Sequence, residues 1–125
     1  ACTDVTGFGL MGHGFEMAQG SDVELTIDVG AIDFIPEAVE FARMGVLPAG
    51  MYRNRSFAEA GVDVGETEVA IQDLLFDPQT SGGLLMAVDP ADADALLAEL
   101  KPAVPSAQRI GTVGEYRGGK RIFLR

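Results

Sequence analysis

Hydrophobic positions along this chain recur in separate blocks, some with a helical period and some alternating. Phe8, Met11, Phe15 and Ala18 step by three and four, which predicts a helix presenting them on one face. Thr6 stands where an N-cap would accept a first-turn N–H, and Gly20 where a left-handed C-cap would end the helix. Val23, Leu25, Ile27 and Val29 alternate with Glu24, Thr26 and Asp28, a strand with one buried face. Pro36 opens a second helix, lined by Ala38, Val39, Phe41 and Ala42 and stopped by Gly45. Residues 46–67 hold no sustained period. Pro48, Gly50, Gly61 and Gly65 break them, with a short helix expected around Ser56–Ala60.

Val69 to Phe76 reads as a short helix with Asp73 facing out, ended by Pro78. Leu84 to Val88 is an unbroken apolar run, the pattern of a strand covered on both faces. Asp89 and Pro90 start a further helix with Ala93, Leu96, Leu97 and Leu100 as its core stripe. Asp92 and Asp94 in its first turn and Lys101 in its last complement the macrodipole. Ile110–Tyr116 and Arg121–Leu124 read as two strands of a hairpin joined at Arg117-Gly118-Gly119-Lys120. The expected class is α/β (α+β), a mixed sheet layered with helices.

Composition narrows this picture. At 125 residues the chain fits one domain, 1–125, and 47% hydrophobic residues with a mean hydropathy of +0.18 suit a folded core. A formal charge of −10 argues against nucleic acid, because phosphate neutralisation needs clustered Lys and Arg. The basic residues gather instead at Arg53, Arg55 and from Arg109 to Arg125. The single cysteine forms no internal disulfide, which suits a reducing, cytoplasmic setting. No apolar run reaches the length of a membrane span and no signal peptide opens the sequence.

Candidate chemistry concentrates in the opening stretch. Asp4 precedes a turn whose Gly7 and Gly9 offer bare N–H groups at a helix N-terminus, where an anion is favoured. An ionised carboxylate beside an anion-friendly turn suits a metal–phosphate pair, with a hard cation such as Mg2+ on Asp4. A second reading takes Gly7-Phe8-Gly9-Leu10-Met11-Gly12 as the G-x-G-x-x-G of a dinucleotide-binding module, with Asp28 as its ribose acid. That reading needs a parallel strand before Gly7, where only Val5 is a strong strand former. A third lets the glycines merely permit close packing of the helix.

Further along, Asp77-Pro78-Gln79-Thr80-Ser81-Gly82-Gly83 forms a turn rich in acceptors, and consecutive amides at Ser81, Gly82 and Gly83 suggest an anion nest. Its glycines would otherwise serve to supply positive φ angles. Arg53-Asn54-Arg55 offers fork donors for phosphate, or simply a solvated loop. His13, the only histidine, has Glu16 three residues on. It lacks a second nitrogen or sulfur ligand, so a packing or hydrogen-bonding role is expected rather than zinc.

Asp4-Val5-Thr6-Gly7-Phe8-Gly9-Leu10-Met11-Gly12-His13, with Tyr52-Arg53-Asn54-Arg55 and Asp77-Pro78-Gln79-Thr80-Ser81-Gly82-Gly83-Leu84-Leu85, resembles the selenophosphate synthetases (selenide, water dikinases). The wider superfamily includes aminoimidazole ribonucleotide synthetase, and other ATP-dependent members are the nearest alternatives. The resemblance runs over the whole chain and implies the C-terminal domain of a two-domain enzyme, with an aminoimidazole ribonucleotide synthetase C-terminal-domain-like fold. It implies a reaction of selenide, ATP and water to selenophosphate, AMP and phosphate, with Mg2+ as cofactor. An N-terminal ATP-binding domain is the implied partner, carrying the catalytic Cys or Sec, and the implied full-length state is a homodimer. Cys2 is not that nucleophile. On this resemblance Asp4 is a metal ligand, and Thr6, Gly7, Gly9, Thr80, Ser81, Gly82 and Gly83 lie near the nucleotide phosphates. The fragment supplies no catalytic residue and is expected to be inactive alone.

Overall fold

A computed structural model describes all residues, 1–125. The chain begins with strand β1 (Cys2–Val5) and helix α1 (Gly9–Ser21), followed by β2 (Val23–Ile27), α2 (Pro36–Arg43) and α3 (Ala49–Ala58). Then come β3 (Val62–Asp63), α4 (Val69–Leu75), β4 (Gly83–Met86), α5 (Pro90–Leu100), β5 (Gly111–Glu115) and β6 (Ile122–Leu124). This is the mixed α/β class that the periodicity predicts.

The strands divide between two sheets. One has four strands in the order β3-β6-β2-β5, with β3, β6 and β2 parallel and β5 antiparallel to β2. Its covered face carries Leu25, Ile27, Val62, Ile122 and Leu124, all buried with Met11 and Ala18 of α1, Met51 and Ala58 of α3, and Leu75 and Phe76. Alternation along β2 is therefore as expected, but Val29 has left the strand for a 3-10 turn capped by the Asp28 carboxylate on the Gly30 N–H. The other sheet is a ribbon of β1 and β4, antiparallel, pairing Cys2 with Met86, Asp4 with Leu84 and Val5 with Gly83. Its inner side rests on α1, where Leu85 approaches Gly14.

Several expectations are corrected. β5 and β6 are not a hairpin: β2 lies between them, hydrogen-bonded to both. The Leu84–Val88 run is not covered on both faces, because a two-stranded ribbon has one side on α1 and the other open, leaving Leu84 64% exposed. Residues 49–58 form a full helix, α3, rather than loop. Gly20 lies inside α1, and the left-handed cap is Asp22 at φ 54°. Asp73 does not face out but is buried against Arg55. The stripe of α5 is only half-buried.

Candidate functional site

Three separate stretches meet at the start of α1, and main-chain geometry makes them meet. The Thr6 carbonyl accepts the Gly9 N–H at 3.0 Å and the Gln79 N–H at 3.0 Å. Gly9 has φ +70°, and a Cβ there would sit 2.8 Å from the Asp77 carbonyl oxygen, so only glycine lets α1 begin so close to the loop after α4. A Cβ at Gly82 would collide with the Val5 carbonyl, so that glycine serves close approach of the loop to β1. The third stretch reaches in from α3. Asn54 is buried and its Nδ2 donates to the Gly7 carbonyl at 2.8 Å and the Phe76 carbonyl at 2.9 Å, tying the glycine turn to the end of α4.

These placements revise the candidate residues. Asp4 is exposed on the outer side of the ribbon beside Leu84, and the Thr3 hydroxyl bonds its main-chain carbonyl rather than its carboxylate. Thr6 and Gly7 are exposed and Gly9 is buried. Thr6 is not the N-cap of α1, which is Phe8 without a side-chain cap; the Thr6 hydroxyl lies 3.0 Å from His13 Nε2 instead. Because the Gly9 N–H is spent on the Thr6 carbonyl, it is not a bare donor. Thr80, Ser81 and Gly83 are exposed on the same loop. Neither Gly82 nor Gly83 has a positive φ, so the alternating backbone of an anion nest is not formed there.

The Arg53-Asn54-Arg55 group separates into three roles. Asn54 is structural. Arg55 pairs with Asp73, reaches Gln72 Oε1 at 2.9 Å and lies 3.5 Å from Glu59. Arg53 is exposed, its guanidinium on the side of α3 where Gly50 approaches Pro78. Sequence reasoning marked this stretch but not the buried amide, since a polar residue in a broken segment gives no sign of burial. It likewise left Thr6 and His13 unjoined, because Thr6 lies ahead of the helix that carries His13 and no helical spacing links them.

Electrostatically the loop after α4 stands out. Burial pushes the Asp77 carboxyl above the usual carboxylate range, opposed by the Gln79 side-chain N–H that donates to it at 3.1 Å. No group of three or more His, Cys, Asp or Glu side chains is arranged to hold a metal ion. Asp4 therefore fits a metal site as one oxygen donor of a larger set, and not as a site by itself.

The dinucleotide alternative fails here. Its fingerprint needs a parallel β–α–β unit, whereas β1 pairs only with β4, antiparallel, in a sheet separate from β2. Asp28, its would-be ribose acid, caps a turn.

Comparison with known proteins agrees with this arrangement. Residues 1–123 match the family described as AIR synthase related protein, C-terminal domain. A protein of Treponema denticola named selenide, water dikinase is 48% identical over 104 residues, covering 83% of this chain and 29% of that protein. One of the same name in Clostridium botulinum strain Eklund 17B is 41% identical across 100% of this chain and 36% of its own length. Another in Escherichia coli O6:H1 is 43% identical across 98% of this chain and 35% of that protein. The chain thus spans about a third of the length of these curated relatives. With a mixed sheet covered by helices and a match over nearly all its residues, the chain belongs to the AIR synthase related C-terminal domain family.

Proposed function

We propose that this chain is the C-terminal domain of a selenide, water dikinase, and that it closes one side of a cleft holding ATP and Mg2+. The observation that carries the reading is the convergence of the Val5–Gly9, Asn54 and Phe76–Gly82 stretches at the start of α1, next in the chain after the exposed Asp4. The relatives are named for selenide, water and a dikinase, and on this reading the reaction converts selenide, ATP and water to selenophosphate, AMP and phosphate. Asp4 is the contribution to the metal. Its carboxylate needs partners from elsewhere, which an N-terminal ATP-binding domain would supply.

Mg2+ when bound neutralises phosphate charge and aligns the nucleotide. The residues of this chain hold the wall of the cleft. Asn54 fixes the glycine turn, Gly9 and Gly82 let the backbones close, and Thr6, Gly7, Thr80, Ser81 and Gly83 border the phosphates. The open side of β1–β4, with Asp4, Leu84 and Met86, faces the N-terminal domain. That apolar surface suits a protein neighbour, for Leu84 is 64% exposed and Met86 39%. A cytoplasmic homodimer completes the proposal.

The test uses the full-length protein. Selenide-dependent release of AMP and phosphate is expected with Mg2+, falling about 100-fold or more in Asp4→Asn through loss of metal charge stabilisation. The isolated 1–125 fragment is expected to show no turnover. Wild-type activity in Asp4→Asn, or turnover by the fragment, overturns the assignment.

A further inference from the structure

Thr6, His13 and Glu16 form a line of side chains that the proposed cleft does not yet use. Thr6 Oγ1 lies 3.0 Å from His13 Nε2, and His13 Nδ1 lies 3.3 Å from a Glu16 carboxylate oxygen. The His13 side chain is only 12% exposed, and the Phe8 ring lies against it with centroids 5.4 Å apart. The imidazole is therefore held between an aromatic ring, a carboxylate and a hydroxyl. A carboxylate only accepts, so Glu16 favours the proton on Nδ1 and leaves the Nε2 lone pair for the Thr6 hydroxyl. Thr6 then donates inward. Thr6 itself is exposed and stands two residues along the chain from Asp4, just beyond the end of β1.

We propose that His13 is a positioning residue that fixes the exposed Thr6 hydroxyl, two residues from Asp4, as an oxygen acceptor for a water carried by the magnesium ion of the bound nucleotide. Magnesium keeps several of its waters when protein-bound, and such a water needs an acceptor that is already aimed. A free threonine hydroxyl rotates and offers its proton as readily as its lone pairs. Tied to Nε2, it offers lone pairs only. This inference rests on the metal–nucleotide reading above.

The test measures binding of Mg2+ with the non-hydrolysable analogue AMPPNP by calorimetry, together with KM for MgATP, kcat and unfolding temperature, all on the full-length protein. Thr6→Val and His13→Phe are each expected to raise Kd and KM about 5- to 10-fold, the worth of one hydrogen bond, with kcat nearly unchanged. Because the two residues act in series, the double variant should be no worse than either single one. His13→Gln, whose carbonyl replaces Nε2 as acceptor, and Thr6→Ser should stay within about two-fold of wild type on the same scale. If His13→Phe does not fold, His13→Asn, too short to reach Thr6, takes its place. Unchanged Kd in the single variants, multiplied losses in the double one, or a His13→Gln defect equal to that of His13→Phe overturns the inference. A wild-type protein that neither binds Mg2+–AMPPNP nor makes AMP from selenide overturns the cleft assignment and this inference with it. An active wild type with unaltered variants removes only the role of His13.

Discussion

Asn54 shows how much a single amide can decide. It satisfies two main-chain carbonyls, at Gly7 and Phe76, that lie in different parts of the sequence. Asn54→Leu keeps the volume but leaves both acceptors without their donor, at about 1–3 kcal/mol for a buried unsatisfied group. A fall of several degrees in unfolding temperature is expected, and an unchanged melting curve would show that the clamp is dispensable. Nothing in the sequence marks this residue as buried, because it is a polar amide set between Arg53 and Arg55. Asp4 is the opposite case. A carboxylate before a glycine-rich turn reads as solvent-facing, and Asp4 is exposed. The glycines were legible as close-approach positions, but not which backbone approached which: Gly9 meets Asp77 and Gly82 meets Val5, contacts that only the fold creates.

At the scale of elements, the helix face Phe8, Met11, Phe15 and Ala18 was legible, and Met11 and Ala18 are fully buried. Phe8 instead stacks with Phe57 at 5.9 Å and stays 47% exposed. Helix α3 escaped the hydrophobic pattern because its inner face is Met51, Asn54 and Ala58, with a polar residue where the period needs an apolar one. Tertiary packing, not propensity, makes it a helix. The false hairpin has the same origin. Gly118 and Gly119 do take positive φ values, as a tight turn requires, but the strands they connect part to admit β2. Gly20 gives a clean test of local propensity, since it lies in α1 with nothing within 4 Å of a Cβ. Gly20→Ala is expected to stabilise the domain by about 0.5–1 kcal/mol, visible as a higher denaturant midpoint at unchanged slope. No gain would mean that the end of α1 is frayed.

For the whole molecule the acid limb of stability follows from a few carboxylates. The Gly65 N–H, and after it Arg125, hold Asp63 below the usual carboxylate range, and the Arg43 guanidinium does the same for Glu68 through bonds of 2.8 and 2.9 Å. A lowered folded pKa means stability that is present above the unfolded value, near 4, and lost as pH falls through the folded one. Asp77 has the opposite sign. Raised by burial, it favours the fold while protonated and costs stability once ionised. Asp77→Asn should therefore raise the unfolding temperature at pH 7 and have no such effect at pH 3, whereas Arg43→Met should flatten the acid limb. Thermal scans across that range check both, and an Asp77→Asn gain that persists in acid would rule out ionisation as its cause. One feature of topology carries further. The strand formed last along the chain, β6, lies between β3 and β2 and joins them. On a ribosome, the helices and the first ribbon can collapse early, yet the central hydrogen-bonded seam must wait until Leu124 has cleared the exit tunnel. Nascent chains shorter than that leave Leu25 and Ile27 without the β6 strand beside them, so the four-stranded sheet closes only once β6 has emerged.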